Sequence, residues 1–199
     1  MNDNLDSAYA INFFHDKNII HGNIKLNNIF ICQNKNGLIT AKLGGFGINY
    51  YLDQFSRDNV SIYCNDKYLK LEKINNIQYM APELLLAIYE NKEVQYTKKS
   101  DNYAFAIVIN EIFNCKKPFI NYTYKQYIDD VVNKKKRPGI FIPNNECESK
   151  LKKLINGNNI NYYSNCCDNF NGIQYYLEHD PNNRPYIEAI SDILDDYIE

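Results

Sequence analysis

Apolar positions along the chain follow helical and strand periods, separated by polar segments rich in Asn. The first periodic segment carries Leu5, Ala8, Tyr9, Asn12 and Phe13 at helical spacing. With Asp3 or Asn4 as N-cap, it predicts an amphipathic helix that ends near residues 17–18. A short apolar strand at Ile19 and Ile20 is then predicted to lead into a polar loop, residues 21–28.

Two apolar runs, 29–32 and 38–43, flank the Asn- and Gly-rich connector 34–37, which predicts a β-hairpin. Residues 48–79 have no sustained period and are interpreted as a long loop. A short helix should follow, with Pro82 in its first turn.

The segment 100–113 has almost no polar face, which predicts a buried helix. Residues 124–133 are interpreted as a surface helix through Tyr127, Ile128, Val131 and Val132. Further helices are predicted at Leu151, Leu154 and Ile155, and at Ile187, Ile190, Ile193 and Leu194. Between them, the polar segment 156–172 is interpreted as an insertion or flexible loop.

Composition favours one domain over residues 1–199, because 45% of the 199 residues are hydrophobic and no break divides them. The net charge of -2 is spread in both signs, so we expect neither nucleic acid nor a membrane surface as partner. The basic run 134–137 is interpreted as a solvated turn. Because no apolar run approaches the roughly 20 residues of a membrane span, we expect a cytoplasmic protein.

The cysteines lack the C-x-x-C spacing of a zinc site, and no histidine lies near the adjacent pair at 166–167. We therefore expect reduced thiols and no metal ligands. The six residues are Cys32, Cys64, Cys115, Cys147, Cys166 and Cys167.

Several segments resemble, in the same order, the C-terminal lobe of the eukaryotic protein kinases. Their motif residues are most similar to those of the tyrosine-kinase-like group. Residues 21–28 resemble the catalytic loop H-R-D-L-x-x-x-N, residues 42–47 stand where D-F-G belongs, and 81–83 match A-P-E. Residues 100–105 resemble the start of the family's central helix, and 180–185 resemble its D-P-x-x-R-P. The resemblance implies a mainly α (α+β) fold, a protein-kinase-like C-terminal lobe with a small β-hairpin and a buried central helix.

The sequence contains no glycine-rich G-x-G-x-x-G loop after a strand and no V-A-I-K-like lysine before its first helix. In the family, both belong to the N-terminal lobe, which covers the ATP phosphates. We therefore expect a C-terminal lobe without its N-terminal partner, and neither ATP nor Mg²⁺ as cofactor.

The resemblance also shows which chemical groups are replaced. Asn23 stands at the proton-accepting Asp, and a neutral amide cannot act as a general base near neutral pH. Gly45 stands at the Asp that coordinates Mg²⁺, which leaves the second metal position, Asn28, as a lone amide. Lys25 matches the lysine that neutralises the transferred phosphate, while Gly22 replaces the arginine that would pair with a phosphorylated loop.

Scaffold positions of the family are kept. Asp101 is expected to cap the central helix and to accept backbone N–H groups of the turn 22–23. Glu83 and Arg184 are expected to form a buried ion pair. Two further residues are expected to pack in the core: His21 and Phe46.

These features lead to the hypothesis of a truncated, catalytically inactive kinase-like domain (a pseudokinase) that acts by binding other proteins. The surfaces expected to bind them are the loop 48–79 and the helix 124–133, the latter through Tyr127 and Ile128. The alternatives are a protein kinase with residual activity through Lys25 and Asn28, an incomplete gene model of a kinase, or a decayed sequence without function.

Overall fold

A computed structural model describes residues 3–46, 77–139 and 176–189. Its helices are α1 (Asp3–Asp16), α2 (Pro82–Tyr89), α3 (Lys98–Asn114) and α4 (Tyr124–Tyr127), and its strands are β1 (Ile29–Gln33) and β2 (Ile39–Leu43). Short 3-10 helices span Leu26–Asn28, Ile77–Tyr79 and Pro181–Asn183. The predictions for residues 48–76 and 151–172, and for the last helix beyond residue 189, fall outside these ranges.

β1 and β2 form the predicted hairpin, which is confirmed as an antiparallel pair with Ile31 opposite Ala41. The connector closes because the Asn34 side-chain oxygen accepts the backbone N–H groups of Asn36 and Leu38. Gly37 has a φ of +81°, in the left-handed region that glycine adopts without strain.

The strand predicted at Ile19 and Ile20 is wrong. Neither residue lies in a strand, and both side chains are exposed. Directly before them the chain turns at Asn18, whose φ is +56°. An apolar dipeptide has too little pattern to separate a strand from an exposed connection.

The predicted first helix is confirmed, and one face of α1 packs against β2. The buried residues of α1 are Ser7, Ala8, Ile11 and His15, whereas Tyr9 and Phe13, which were expected on its apolar face, are exposed. The Asp6 carboxylate accepts the backbone N–H of Ala41 at 2.8 Å, so the helix also satisfies the outer edge of β2.

α3 crosses the core, and all its residues from 100 to 111 are buried. Thr97 is its N-cap and forms a reciprocal capping box with Ser100. Asp101, expected at the cap, instead lies in the first turn. The helix ends at Cys115, a non-glycine residue in the left-handed conformation.

The segment 124–133 is helical as predicted, but Tyr127 and Ile128, the side chains expected to contact a partner, are buried. Both side chains are only 2% exposed. The Tyr127 hydroxyl donates to the Gln78 carbonyl at 3.0 Å, and its ring packs edge-on against Phe119. After α4 the helix widens to π-helical geometry over Ile128–Asn133, which also buries Val131 and Val132.

The basic run 134–137 is divided between solvent and core. Lys134 and Lys136 are exposed and pair with Asp130. Arg137 turns inward and donates to the carbonyls of Leu177 and Val131.

Among the helices of residues 3–46, 77–139 and 176–189, none has the length and apolar character needed to cross a membrane.

Candidate functional site formed by residues 21–28 and 44–46

The hairpin brings the two candidate segments together, because residues 21–28 precede β1 and residues 44–46 follow its antiparallel neighbour β2. Three hydrogen bonds join them. His21 Nε2 donates to the Gly44 carbonyl at 3.1 Å, and Asn23 Nδ2 donates to the Gly45 carbonyl at 2.8 Å. The backbone N–H of Gly44 donates to the Asn28 carbonyl at 2.9 Å.

His21 is buried and held as a neutral ring. Its Nδ1 accepts the backbone N–H of Asn23 at 3.2 Å, while its Nε2 donates to Gly44. This pattern requires the proton on Nε2 alone. Burial, the largest cause, lowers the pKa of His21. The ring also packs against Phe46, which in turn contacts Phe14.

Asn23 is 5% exposed and uses its amide to organise the backbone. Its Nδ2 donates to Gly45, and its own carbonyl accepts a hydrogen bond from Asn28 Nδ2 at 2.7 Å. The side-chain oxygen of Asn23 is buried and has no donor among the described residues. The residue at the base position therefore connects the two segments.

Lys25 lines a small cavity next to Asn23. The cavity has a volume of about 30 Å³ and is also bordered by Gly22, Tyr79, Ser100 and Asp101, among others. This volume suits one or two water molecules and is far smaller than a pocket for a nucleotide-sized ligand.

Asp101 holds the start of the loop. Its two carboxylate oxygens accept the backbone N–H groups of His21 at 2.8 Å and of Gly22 at 2.9 Å. The expected turn was 22–23, one residue later. His15 Nε2 lies 3.0 Å from the same carboxylate, so Asp101 joins α1, the loop and α3. Gly22 has a φ of +68°, which suits glycine.

Glu83 and Arg184 lie together as a bidentate pair, with N–O distances of 2.7 and 2.6 Å. The Arg184 side chain is fully buried, whereas that of Glu83 is 28% exposed. Arg184 also donates to three backbone carbonyls, so all five of its N–H groups are used. These acceptors belong to Lys99, Glu178 and His179.

Two polar residues near the site, His15 and Glu111, were not predicted from the sequence. His15 continues the buried face of α1 at a spacing of four from Ile11, a signal that could have identified it. Glu111 is an acid that follows the apolar residues 103–109 of α3, and its carboxylate accepts a hydrogen bond from the Tyr79 hydroxyl. Burial and this carboxylate raise the pKa of Tyr79 well above its usual value.

Comparisons with known proteins agree with this arrangement. The family model described as "Protein kinase domain" matches residues 6–194. The dual specificity protein kinase shkE of Dictyostelium discoideum is 29% identical over 98% of this chain and 22% of its own length. The Raf homolog serine/threonine-protein kinase of Caenorhabditis elegans is 27% identical over 96% of this chain and 20% of its own length.

A third relative, the probable serine/threonine-protein kinase roco6 of Dictyostelium discoideum, is 30% identical over 68% of this chain and 6% of its own length. The chain thus spans at most about a fifth of the length of these three relatives. The family-model match nevertheless extends over nearly the whole chain and includes the loop, the hairpin and α3. The chain belongs to the eukaryotic protein kinase family.

Proposed function

We propose that this chain is a kinase-like domain that has lost phosphotransfer and acts by binding another protein. The observation that carries the proposal is the use of the two amides at the site. Asn23 and Asn28 each donate from Nδ2 to a backbone carbonyl, those of Gly45 and Asn23 respectively. Groups in the positions of the catalytic base and of a metal ligand thereby stabilise the loop itself.

The donor set at the site supports the loss of the metal. Mg²⁺ requires hard oxygen ligands, and carboxylates usually anchor it. Residues 21–28 and 44–46 contain no Asp or Glu. The carboxylate that binds the start of the loop, that of Asp101, already accepts three hydrogen bonds. We therefore propose that neither Mg²⁺ nor ATP is a cofactor of this chain.

We also propose that residues 1–199 correspond to a C-terminal lobe. The order of its elements supports this assignment: a loop held by a buried acid, a hairpin, a Pro-initiated helix and the buried helix α3. The match of residues 6–194 to the protein kinase domain model is consistent with one domain.

A thermal-shift titration with ATP and Mg²⁺ tests the loss of chemistry. A ligand that binds only the folded state raises the melting temperature in proportion to the logarithm of its concentration. We expect no rise that depends on Mg²⁺, and no transfer of labelled phosphate to a general protein substrate. A rise that EDTA removes would contradict the proposal.

Residual kinase activity is the second candidate, favoured because the three relatives described above are named as kinases and Lys25 is retained. Lys25→Ala separates the candidates. If the chain is an enzyme, this variant should reduce phosphate transfer and weaken the ATP-dependent shift. If the chain is not an enzyme, both measurements should match the unsubstituted protein.

The proposed partner surface on residues 124–133 is limited to the exposed side chains, since Tyr127 and Ile128 belong to the core. Lys125 and Gln126 are exposed on α4. Affinity capture with a Lys125→Glu/Gln126→Glu variant should lose a protein that the unsubstituted chain retains. Lys35→Glu, on the exposed hairpin connector, serves as the control. Identical captured proteins for all three chains would reject this surface.

A further inference from the structure

The backbone of Gly45 lies unusually close to the side chain of Asn28. A Cβ atom built on Gly45 would lie 2.7 Å from Asn28 Nδ2, 2.8 Å from its Cγ and 2.9 Å from its Oδ1. Carbon atoms do not approach non-bonded atoms this closely, because favourable contacts begin near 3.5 Å. The space that the first side-chain atom of residue 45 would need is therefore filled by Asn28.

One hydrogen bond holds the side-chain amide of Asn28 in this position, and two others hold its backbone. Its Nδ2 donates to the Asn23 carbonyl at 2.7 Å, and its backbone N–H donates to Lys25 at 2.9 Å. Its own carbonyl accepts the N–H of Gly44 at 2.9 Å. Movement of the Asn28 amide away from Gly45 would break the first of these bonds and leave the Asn23 carbonyl without that donor.

We infer that the Asn28 amide closes the former metal position, so that a side chain at residue 45 must displace it. The inference rests on the proposed loss of phosphotransfer. It adds the packing of Asn28 against Gly45 as a structural reason for that loss. The site lacks an acid, and its packing also disfavours one. A Gly45→Asp substitution would place its Cβ atom in the volume of the Asn28 amide, so Asn28 would have to move before the new carboxylate could bind a metal.

Backbone conformation at Gly45 must be separated from this contact, since its φ is +75° and any L-residue is strained there. Gly37 provides the control. Its φ is +81°, and a Cβ on it would meet only Gln33 Nε2, at 3.9 Å. Gly37→Ala therefore measures the conformational strain without the overlap.

A double-mutant cycle on melting temperature tests the inference. Gly45→Ala should lower the melting temperature by about 3–8 °C more than Gly37→Ala does, because it adds overlap to strain. Asn28→Ala removes all three overlapping atoms and a hydrogen bond. It should lower the melting temperature of the unsubstituted chain but raise that of the Gly45→Ala variant.

The sign of the Asn28→Ala effect decides the outcome. An equal decrease in both backgrounds would overturn the inference. If Gly45→Ala does not fold, recovery of a cooperative transition in the double variant supports the inference, and failure of the double variant while Asn28→Ala and Gly37→Ala fold overturns it. The cycle uses no nucleotide or metal, so its failure is distinct from that of the proposed function, which a Mg²⁺-dependent ATP shift would contradict.

Discussion

The Arg184 site and the loop 21–28 use polar groups in opposite ways. Arg184 keeps its charge, is fully buried, and is matched by Glu83 and three carbonyls. In the loop, neutral amides stand where the motif has a carboxylate and a metal ligand, and they bond to neighbouring backbone. Arg184 thus keeps a charge for which the protein itself supplies the partners, whereas Asn23 and Asn28 are neutral groups whose amides bind the backbone.

Asp101 supports the same distinction from within the loop region. Its carboxylate is buried, and its acceptors are filled by the N–H groups of His21 and Gly22 and by His15. A buried charge without partners would destabilise the fold, so such groups persist only with their hydrogen bonds intact. Hydrogen bonds within the fold therefore account for the burial of both Asp101 and Arg184.

Arg184→Met should have the largest effect. It removes five hydrogen bonds and leaves Glu83 without its partner, so the free energy of unfolding should fall by about 3–5 kcal/mol. Glu83→Gln should cost less, about 1–2 kcal/mol, because it keeps the shape and the group is partly hydrated. Urea denaturation measures both changes. Lys134→Ala, at an exposed position, is the control and should leave the free energy of unfolding nearly unchanged. Equal effects of Arg184→Met and Lys134→Ala would break the comparison.

Asn23→Asp should destabilise the protein although it restores the residue of the motif. The new carboxylate would be buried, could not donate to the Gly45 carbonyl, and would face it as a second acceptor. We expect a loss of about 1–3 kcal/mol in urea denaturation at pH 7. Asn27→Asp, the same change at an exposed position of the loop, should have no measurable effect. A more stable Asn23→Asp variant would contradict the role assigned to the amide.

Acidification should weaken the protein through His21 and His179. Burial lowers the pKa of His21 against the opposing effect of Asp101, and partial burial together with the charge of Arg137 lowers the pKa of His179. Between these lowered values and the unfolded value near 6.5, the unfolded chain binds more protons. The stability is therefore fully present above about pH 6.5 and is lost as the pH falls toward the folded pKa values.

Melting temperatures measured from pH 8 to pH 5 check this expectation. His21→Asn should make the melting temperature depend less on pH. Adding His179→Gln to this variant should reduce the dependence further. A curve as steep in the double variant as in the unsubstituted chain would assign the pH dependence to other groups.

Cys115→Gly should produce the smallest change, an increase in stability of about 0.5–1 kcal/mol. At the loop, glycine occupies the left-handed positions 22 and 45, whereas α3 ends with Cys115 at a φ of +48°. Glycine removes the strain of that conformation, although part of the gain is offset by the greater freedom of the unfolded chain. Cys115→Ala removes the thiol alone and should not raise the melting temperature.

Local pattern was sufficient to predict much of the fold. The hairpin follows from its Asn- and Gly-rich connector, and α2 follows from Pro82 at its start. The strand at Ile19 and Ile20 was wrong, because apolar character alone does not provide a strand partner. Helical period identified residues 124–133, but it could not show that Tyr127 is covered by the Phe119 ring.

The site was predictable in its chemistry and less so in its geometry. The kinase-like motifs identified the replaced groups at residues 23 and 45, and they predicted the acid at residue 101 as a ligand of the loop backbone. The contact between Asn28 and Gly45 could not be predicted, since it depends on how closely two segments approach after the hairpin folds. The exact N–H groups bound by Asp101 differed by one residue for the same reason.

The hydrogen bonds of Asp101 also have a kinetic consequence. They join residues that are 79 to 86 positions apart in the chain, and the Arg184–Glu83 pair joins residues 101 positions apart. Contacts across such long loops form late, because the entropy of closing the loop must be overcome first. We expect variants of these pairs to accelerate unfolding far more than they slow folding, so the lifetime of the native state depends on contacts that guide little of its formation.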